Sequence, residues 1–161
     1  MIRSRSVRLF LAASVLLVGA CGGPLSSRAT ATAVPASTPQ PVVKTATATV
    51  AGKSETILVG ENGMTLYHYT PDKGTGEATC TAQCLVNWPP LLLPAGVVKP
   101  TGEKGVTGTL GTVTSTAGGM QVTYNGWPLY FWSRDKVPGD TTGQNVGGKW
   151  FVVPPDVASG A

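Results

Sequence analysis

Histidine is nearly missing from this 161-residue chain, with His68 the only one. A blue-copper site takes two histidines and a cysteine, so that chemistry is excluded. Any other metal site would have to draw on Met64, Met120, a carboxylate or the cysteines, and the ordinary expectation for His68 is a surface position. Cysteine is also scarce: Cys21, Cys80 and Cys84 are the full set. Cys80-x-x-x-Cys84-Leu85 has neither the spacing nor the terminal histidine of a c-type haem attachment. A Gly-x-Ser-x-Gly elbow is absent, which removes the usual hydrolase signature. Calcium loops of the Asp-x-Asp-x-Asp-Gly type are absent too. No phosphate-loop lysine follows the Gly139–Gln144 turn. Asp72, Glu77, Asp135 and Asp140 are available as carboxylates, yet no spacing puts two of them together for paired acid and base work. The sequence thus offers no catalytic constellation, no metal set and no implied cofactor.

Long apolar runs are missing as well. The apolar run Leu9–Ala20 is about a dozen residues, short of the roughly 20 that span a bilayer. Arg3, Arg5 and Arg8 precede it. A positive start, a short apolar core and small residues behind it make a secretory signal peptide. The run ends Leu17-Val18-Gly19-Ala20-Cys21, which resembles the lipobox of bacterial lipoproteins. That resemblance implies cleavage after Ala20, acylation (palmitate among the chains) of Cys21, and anchoring at the extracytoplasmic face of the cell membrane. Each buried lipid methylene contributes about 0.8 kcal/mol, so more than one chain holds firmly. Loss of the three arginines changes the charge balance from 12 basic against 8 acidic side chains to 9 against 8. A near-neutral mature chain carries no basic face for nucleic acid.

Helix signals are nearly absent from the remainder. Residues 21–52 are rich in Ala, Thr, Ser and Pro with few large apolar side chains, a composition expected to stay a disordered tether. Residues 53–156 carry β-branched and aromatic segments cut by Gly and Pro, enough for one small all-β domain. Residues 157–161 are expected to be a frayed tail. Thr56–Val59 and Thr65–Thr70 read as strands around the turn pair Asn62-Gly63. Thr109–Thr116 and Met120–Tyr124 read as strands around Gly118-Gly119. Asn125-Gly126 marks a second hairpin, and Lys149–Val153 a last strand. Trp88–Pro94 is apolar and bounded by proline, which suits an extended edge segment.

Two stretches repeat at an offset of 63: Leu66-Tyr67-His68-Tyr69-Thr70-Pro71-Asp72 and Leu129-Tyr130-Phe131-Trp132-Ser133-Arg134-Asp135. Trp88 and Trp150 match at an offset of 62. Two copies, about 54–94 and 109–154, predict two tandem β units packed about a pseudo-twofold as a small sandwich or barrel-like domain. Side chains alternate along a strand, so Tyr67 shares a face with Tyr69, and Tyr130 with Trp132. The structural reading makes these rings core and has Asp72 and Asp135 close turns by accepting backbone N–H groups. The binding reading makes them an exposed aromatic patch beside a carboxylate. Cys80 and Cys84, in an export compartment, are expected to pair. A redox-active pair would want Cys-x-x-Cys at a helix start.

The paired Tyr-x-aromatic-x-x-Asp motifs, the Cys80 to Leu91 run and the Gly139 to Trp150 run resemble the bacterial secreted-repeat lipoproteins. The resemblance covers about residues 54–153. It implies an exported, often lipid-anchored protein, and it supplies no catalytic residues. The combined expectation is a lipid-anchored, non-enzymatic cell-surface binding or structural module. Its candidate partners are cell-wall polymer or another exported protein. The competing expectation is an extracytoplasmic redox or metal-handling accessory using the aromatics, His68 and the cysteines.

Overall fold

The computed structural model describes residues 40–73 and 75–160. Signal peptide, Cys21 and most of the expected tether lie outside the described residues. Among the described residues no helix is long and apolar enough to cross a membrane.

The described chain is all-β, with one short helix and two single-turn 3-10 segments. Its strands are β1 (Val43–Val50), β2 (Lys53–Gly60), β3 (Tyr67–Tyr69), β4 (Leu110–Thr114), β5 (Met120–Tyr124), β6 (Trp127–Pro128) and β7 (Trp150–Val152). They form three small antiparallel sheets, ordered β1-β2, β3-β7 and β4-β5-β6, and the strands do not close into a barrel.

β1 falls inside the stretch expected to be tether, so the folded part begins before residue 53. Val43, Ala48 and Val50 are buried. Val-Lys-Thr-Ala-Thr-Ala-Thr-Val is poor in bulky apolar groups, but its threonines and valines are β-branched and suit a pleated surface. Ala51 and Gly52 then take positive φ, 48° and 84°, and close a two-residue hairpin onto β2. The second hairpin follows the expected chemistry, with Asn125 at φ 50° and Gly126 at 85° between β5 and β6. The first Asn-Gly pair differs. Only Gly63 has positive φ, and the Asn62 side-chain oxygen instead accepts the Met64 N–H at 3.1 Å.

The two repeats interleave. β3 of the first copy pairs with β7 of the second, placing Tyr69 opposite Trp150. Tyr130 of the second copy bridges Pro90 of the first, and the Phe131 and Ser133 N–H groups donate to the Pro89 and Asn87 carbonyls at 2.8 and 2.9 Å. At the centre Tyr67 and Tyr130 exchange backbone bonds, 2.8 and 2.9 Å. Alternation then sorts the side chains into two cores. Ile57, Val59, Tyr67, Tyr130 and Trp132 enter one, with Trp88 and Trp150; Leu58, Leu66 and Leu129 enter the other, with Val122 and Tyr124.

The C-terminal segment is docked through Gly160 rather than frayed. Trp127 Nε1 donates to the Ala158 carbonyl at 2.9 Å, Asn125 Nδ2 to Val157 at 2.9 Å, and the Gly160 N–H to Asn125 at 2.8 Å. Trp127 is buried and its indole N–H needs an acceptor, which the tail supplies.

Candidate functional site

Tyr67 and Tyr130, the tyrosines common to both copies, are core residues. Tyr67 and Tyr130 are 0 % exposed, Trp132 is buried, and Tyr69 is half-buried. Their hydroxyls reach across the pseudo-twofold. The Tyr67 hydroxyl donates to Asp135 Oδ2 at 2.6 Å, and the Tyr130 hydroxyl donates to Asp72 Oδ2 at 2.8 Å. Each aspartate therefore serves the tyrosine of the other repeat.

The second carboxylate oxygen stays at home. Asp72 Oδ1 accepts the Thr79 N–H at 2.8 Å and its hydroxyl at 2.5 Å. Asp135 Oδ1 accepts the Thr142 N–H at 3.0 Å and its hydroxyl at 2.6 Å. Both aspartates close a loop, as expected, but the loop spans seven residues where an Asx-turn spans two. Thr79 and Thr142 were missed in the sequence. They share the same offset of 63 as the motifs, so extending the repeat comparison seven residues past each aspartate would have found them.

Electrostatics follow burial. Desolvation lifts the Tyr67 phenol far above its ordinary range, and the hydrogen bond and charge of Asp135 add to this. Tyr130 is raised in the same way, first by desolvation and then by the charge of Asp72. Asp72 is itself raised by desolvation, against the opposing pull of its Thr79 and Tyr130 hydrogen bonds. At neutral pH the arrangement is two neutral phenols, each donating to a buried aspartate of the other copy.

Around these pairs the indoles stack. Trp88 and Trp150 lie parallel, 3.8 Å between centroids and 3° between planes. Trp132 stacks on Trp88 at 4.1 Å, and Tyr69 on Trp150 at 4.2 Å. Tyr67 meets Trp88 edge-on at 5.4 Å, and Tyr130 meets Trp150 edge-on at 5.2 Å. Every contact has its counterpart in the other copy. Gly143 makes the close fit possible, since a Cβ there would sit 2.8 Å from the Tyr67 ring. The Arg134 guanidinium lies 5.4 Å over Trp132, at the position where the first copy has Pro71.

Cys80 and Cys84 form a disulfide, with Cα atoms 5.5 Å apart. The short helix α1 (Gln83–Asn87) contains Cys84, and the Trp88 N–H donates to the Cys84 carbonyl at 2.8 Å. The disulfide and this turn together deliver Trp88 to the stack. His68 is also corrected. It is half-buried, its ring lies 4.3 Å from Trp127 and 5.9 Å from Phe151, and burial pushes its pKa down to about 4.

Among the other carboxylates, Glu77 is exposed, and Asp140 Oδ2 accepts the Lys136 and Val137 N–H groups at 2.7 and 3.1 Å, which hold it below its ordinary range. Two open clefts, of about 440 and 600 Å³, are lined by residues such as Thr112, Val113 and Met120, and by Glu55, Pro155 and Asp156. Neither is lined by a motif residue. Among the described residues no group of three or more His, Cys, Asp or Glu could hold a metal ion.

The fold and its central constellation define a class: a duplicated, interleaved all-β domain whose repeat signature is spent on its own core. Residues 48–92 and 111–154, together more than half of the chain, match the family described as a secreted repeat of unknown function, and the chain belongs to that family. A secreted-repeat family is an extracellular one. No curated protein and no solved structure matches the chain.

Proposed function

We propose that this protein is a lipid-anchored extracytoplasmic module with a structural or binding role and no enzymatic one, tethered to the cell membrane through acylated Cys21. The observation that carries this reading is the reciprocal Tyr67–Asp135 and Tyr130–Asp72 pairing. The repeated residues are buried against one another, so they serve the architecture of a durable exported domain. Contact with cell-wall polymer or another exported protein then falls to the outer surface, beyond the motifs.

The test is fractionation of cells expressing the natural chain and Cys21→Ala. The natural protein is expected in the membrane fraction and extractable only by detergent. The variant is expected in the medium or soluble exported fraction, still folded. Tight membrane retention of Cys21→Ala would remove the anchor from this reading. A soluble exported domain that binds isolated cell wall would identify the polymer as partner.

A further inference from the structure

Four rings, Tyr69, Trp150, Trp88 and Trp132, form one continuous stack through the interior, with centroid steps of 4.2, 3.8 and 4.1 Å. Tyrosine and tryptophan are among the side chains that give up one electron most readily, and rings in van der Waals contact pass an electron vacancy between them. Packing alone explains aromatic burial. A buried phenol also needs an acceptor, and both phenols edge-on to the central indoles have a buried carboxylate as theirs, at 2.6 and 2.8 Å. A phenol is hard to oxidise unless its proton has somewhere to go, because the phenol radical cation is a very strong acid. Asp135 and Asp72 are proton acceptors already in hydrogen-bond contact. Tyr69 has no carboxylate partner among the described residues.

We propose that the core is a reversible one-electron relay, in which Tyr67 and Tyr130 are the resting places of the electron vacancy and Asp135 and Asp72 hold the displaced protons. An extracellular one-electron oxidant of the outer-sphere type, such as a metal complex or a small inorganic radical, takes an electron at the half-exposed Tyr69 end or the Trp132 end. The vacancy moves along the stack to Trp88 or Trp150. Tyr67 then gives one electron to Trp88 and its hydroxyl proton to Asp135 Oδ2. The products are a neutral phenoxyl radical and a neutral carboxylic acid, and the protein has lost one electron in all. Tyr130 and Asp72 do the same through Trp150. A one-electron donor of the thiol, ascorbate or hydroquinone class returns the electron, and the proton moves back from the aspartate. No O–H proton leaves the core in either direction.

Pulse radiolysis of the folded protein with the azide radical tests this. Indolyl absorption is expected to decay as phenoxyl absorption rises, at a rate independent of protein concentration and flat across the neutral pH range. Phenoxyl yield falls in Tyr67→Phe and in Tyr130→Phe, is lost in the double variant, and is kept in Tyr124→Phe, whose ring lies in the other core. Indolyl radicals that vanish only by second-order recombination would overturn the relay. So would phenoxyl signal that survives the double variant undiminished. A second measurement uses the natural chain alone, so poor folding of a variant does not shelter the idea. Repeated oxidation by hexachloroiridate(IV) and reduction by ascorbate is expected to leave the intact mass unchanged. Oxygen addition at the tryptophans or tyrosine cross-linking in the first cycles would overturn reversibility.

Discussion

At the scale of single residues, the reciprocal phenol–carboxylate pairs carry the most specific expectation. Tyr67→Phe removes a hydroxyl and leaves Asp135 Oδ2 buried without its donor, since Oδ1 is already taken by Thr142. Leaving a buried acceptor unsatisfied costs about 1–3 kcal/mol. Urea unfolding should show that loss in Tyr67→Phe and a similar one in Tyr130→Phe. Adding Asp135→Asn to Tyr67→Phe should cost less than the sum of the two single changes, because both act on one bond. Strict additivity would mean that the bond contributes nothing. His68 gives a second expectation. Its buried Nδ1 has no hydrogen-bond partner among the described residues, and its folded pKa of about 4 lies below the ordinary 6.5. Between those values the unfolded chain binds a proton that the folded one refuses, so stability falls as pH drops from 6.5 towards 4. Above 6.5 this contribution is fully present. Phe131 fills the matching position in the other repeat, so His68→Phe is the natural probe. The pH slope of stability across that window should be shallower in His68→Phe than in the natural protein. Identical slopes would show that His68 does not titrate with folding.

At the scale of elements, what could be read beforehand depended on how local the cause was. The hairpin at Asn125-Gly126 was legible because the turn needs two positive φ values and the sequence supplies the residues that tolerate them. β1 was not, since its Thr-Ala alternation looks like a tether by hydrophobicity and becomes a strand only when β2 lies beside it. The five-residue helix α1 is shorter than two helical turns, so no periodicity could betray it. The disulfide followed from compartment and count, and its position next to α1 gives it a consequence. Cross-linking so short a loop is worth about 2 kcal/mol, but Cys84 also anchors the turn that presents Trp88. Changing both Cys80 and Cys84 to alanine should lower stability by roughly that amount. It should also weaken the near-ultraviolet circular dichroism of the stacked indoles before global unfolding. A variant with lowered stability and an unaltered indole signal would separate the disulfide from the stack.

At the scale of the whole molecule, the interleaving of the copies decides how the domain can be cut. The pairing pattern was invisible in the sequence: the duplication at an offset of 63 shows two copies but not that each lends a strand to the other. Neither copy keeps its own partners when separated. Without residues 109–160, β3 loses β7, Tyr67 loses Asp135, and Trp88 loses both Trp132 and Trp150. The N-terminal boundary follows the same reasoning. A chain that begins at Gln40 keeps β1 whole, and with it the buried Val43, Ala48 and Val50. It also keeps the Thr45 N–H to Glu103 Oε1 bond of 2.7 Å and the Val42 N–H to Thr101 carbonyl bond of 2.8 Å, both of which reach into the connection between the copies. A chain that begins at Lys53 leaves β2 as an edge, with Ile57 and Val59 uncovered on one side of the core. The first chain is therefore expected to unfold in urea as one cooperative transition with sharp, dispersed amide resonances. The second is expected to be unfolded or aggregated, although it retains both copies of the tyrosine–aspartate motif. Cooperative folding of the chain that begins at Lys53 would show that β1 is dispensable, and that the crossed tyrosine–aspartate pairs and the aromatic stack between them suffice to hold the domain.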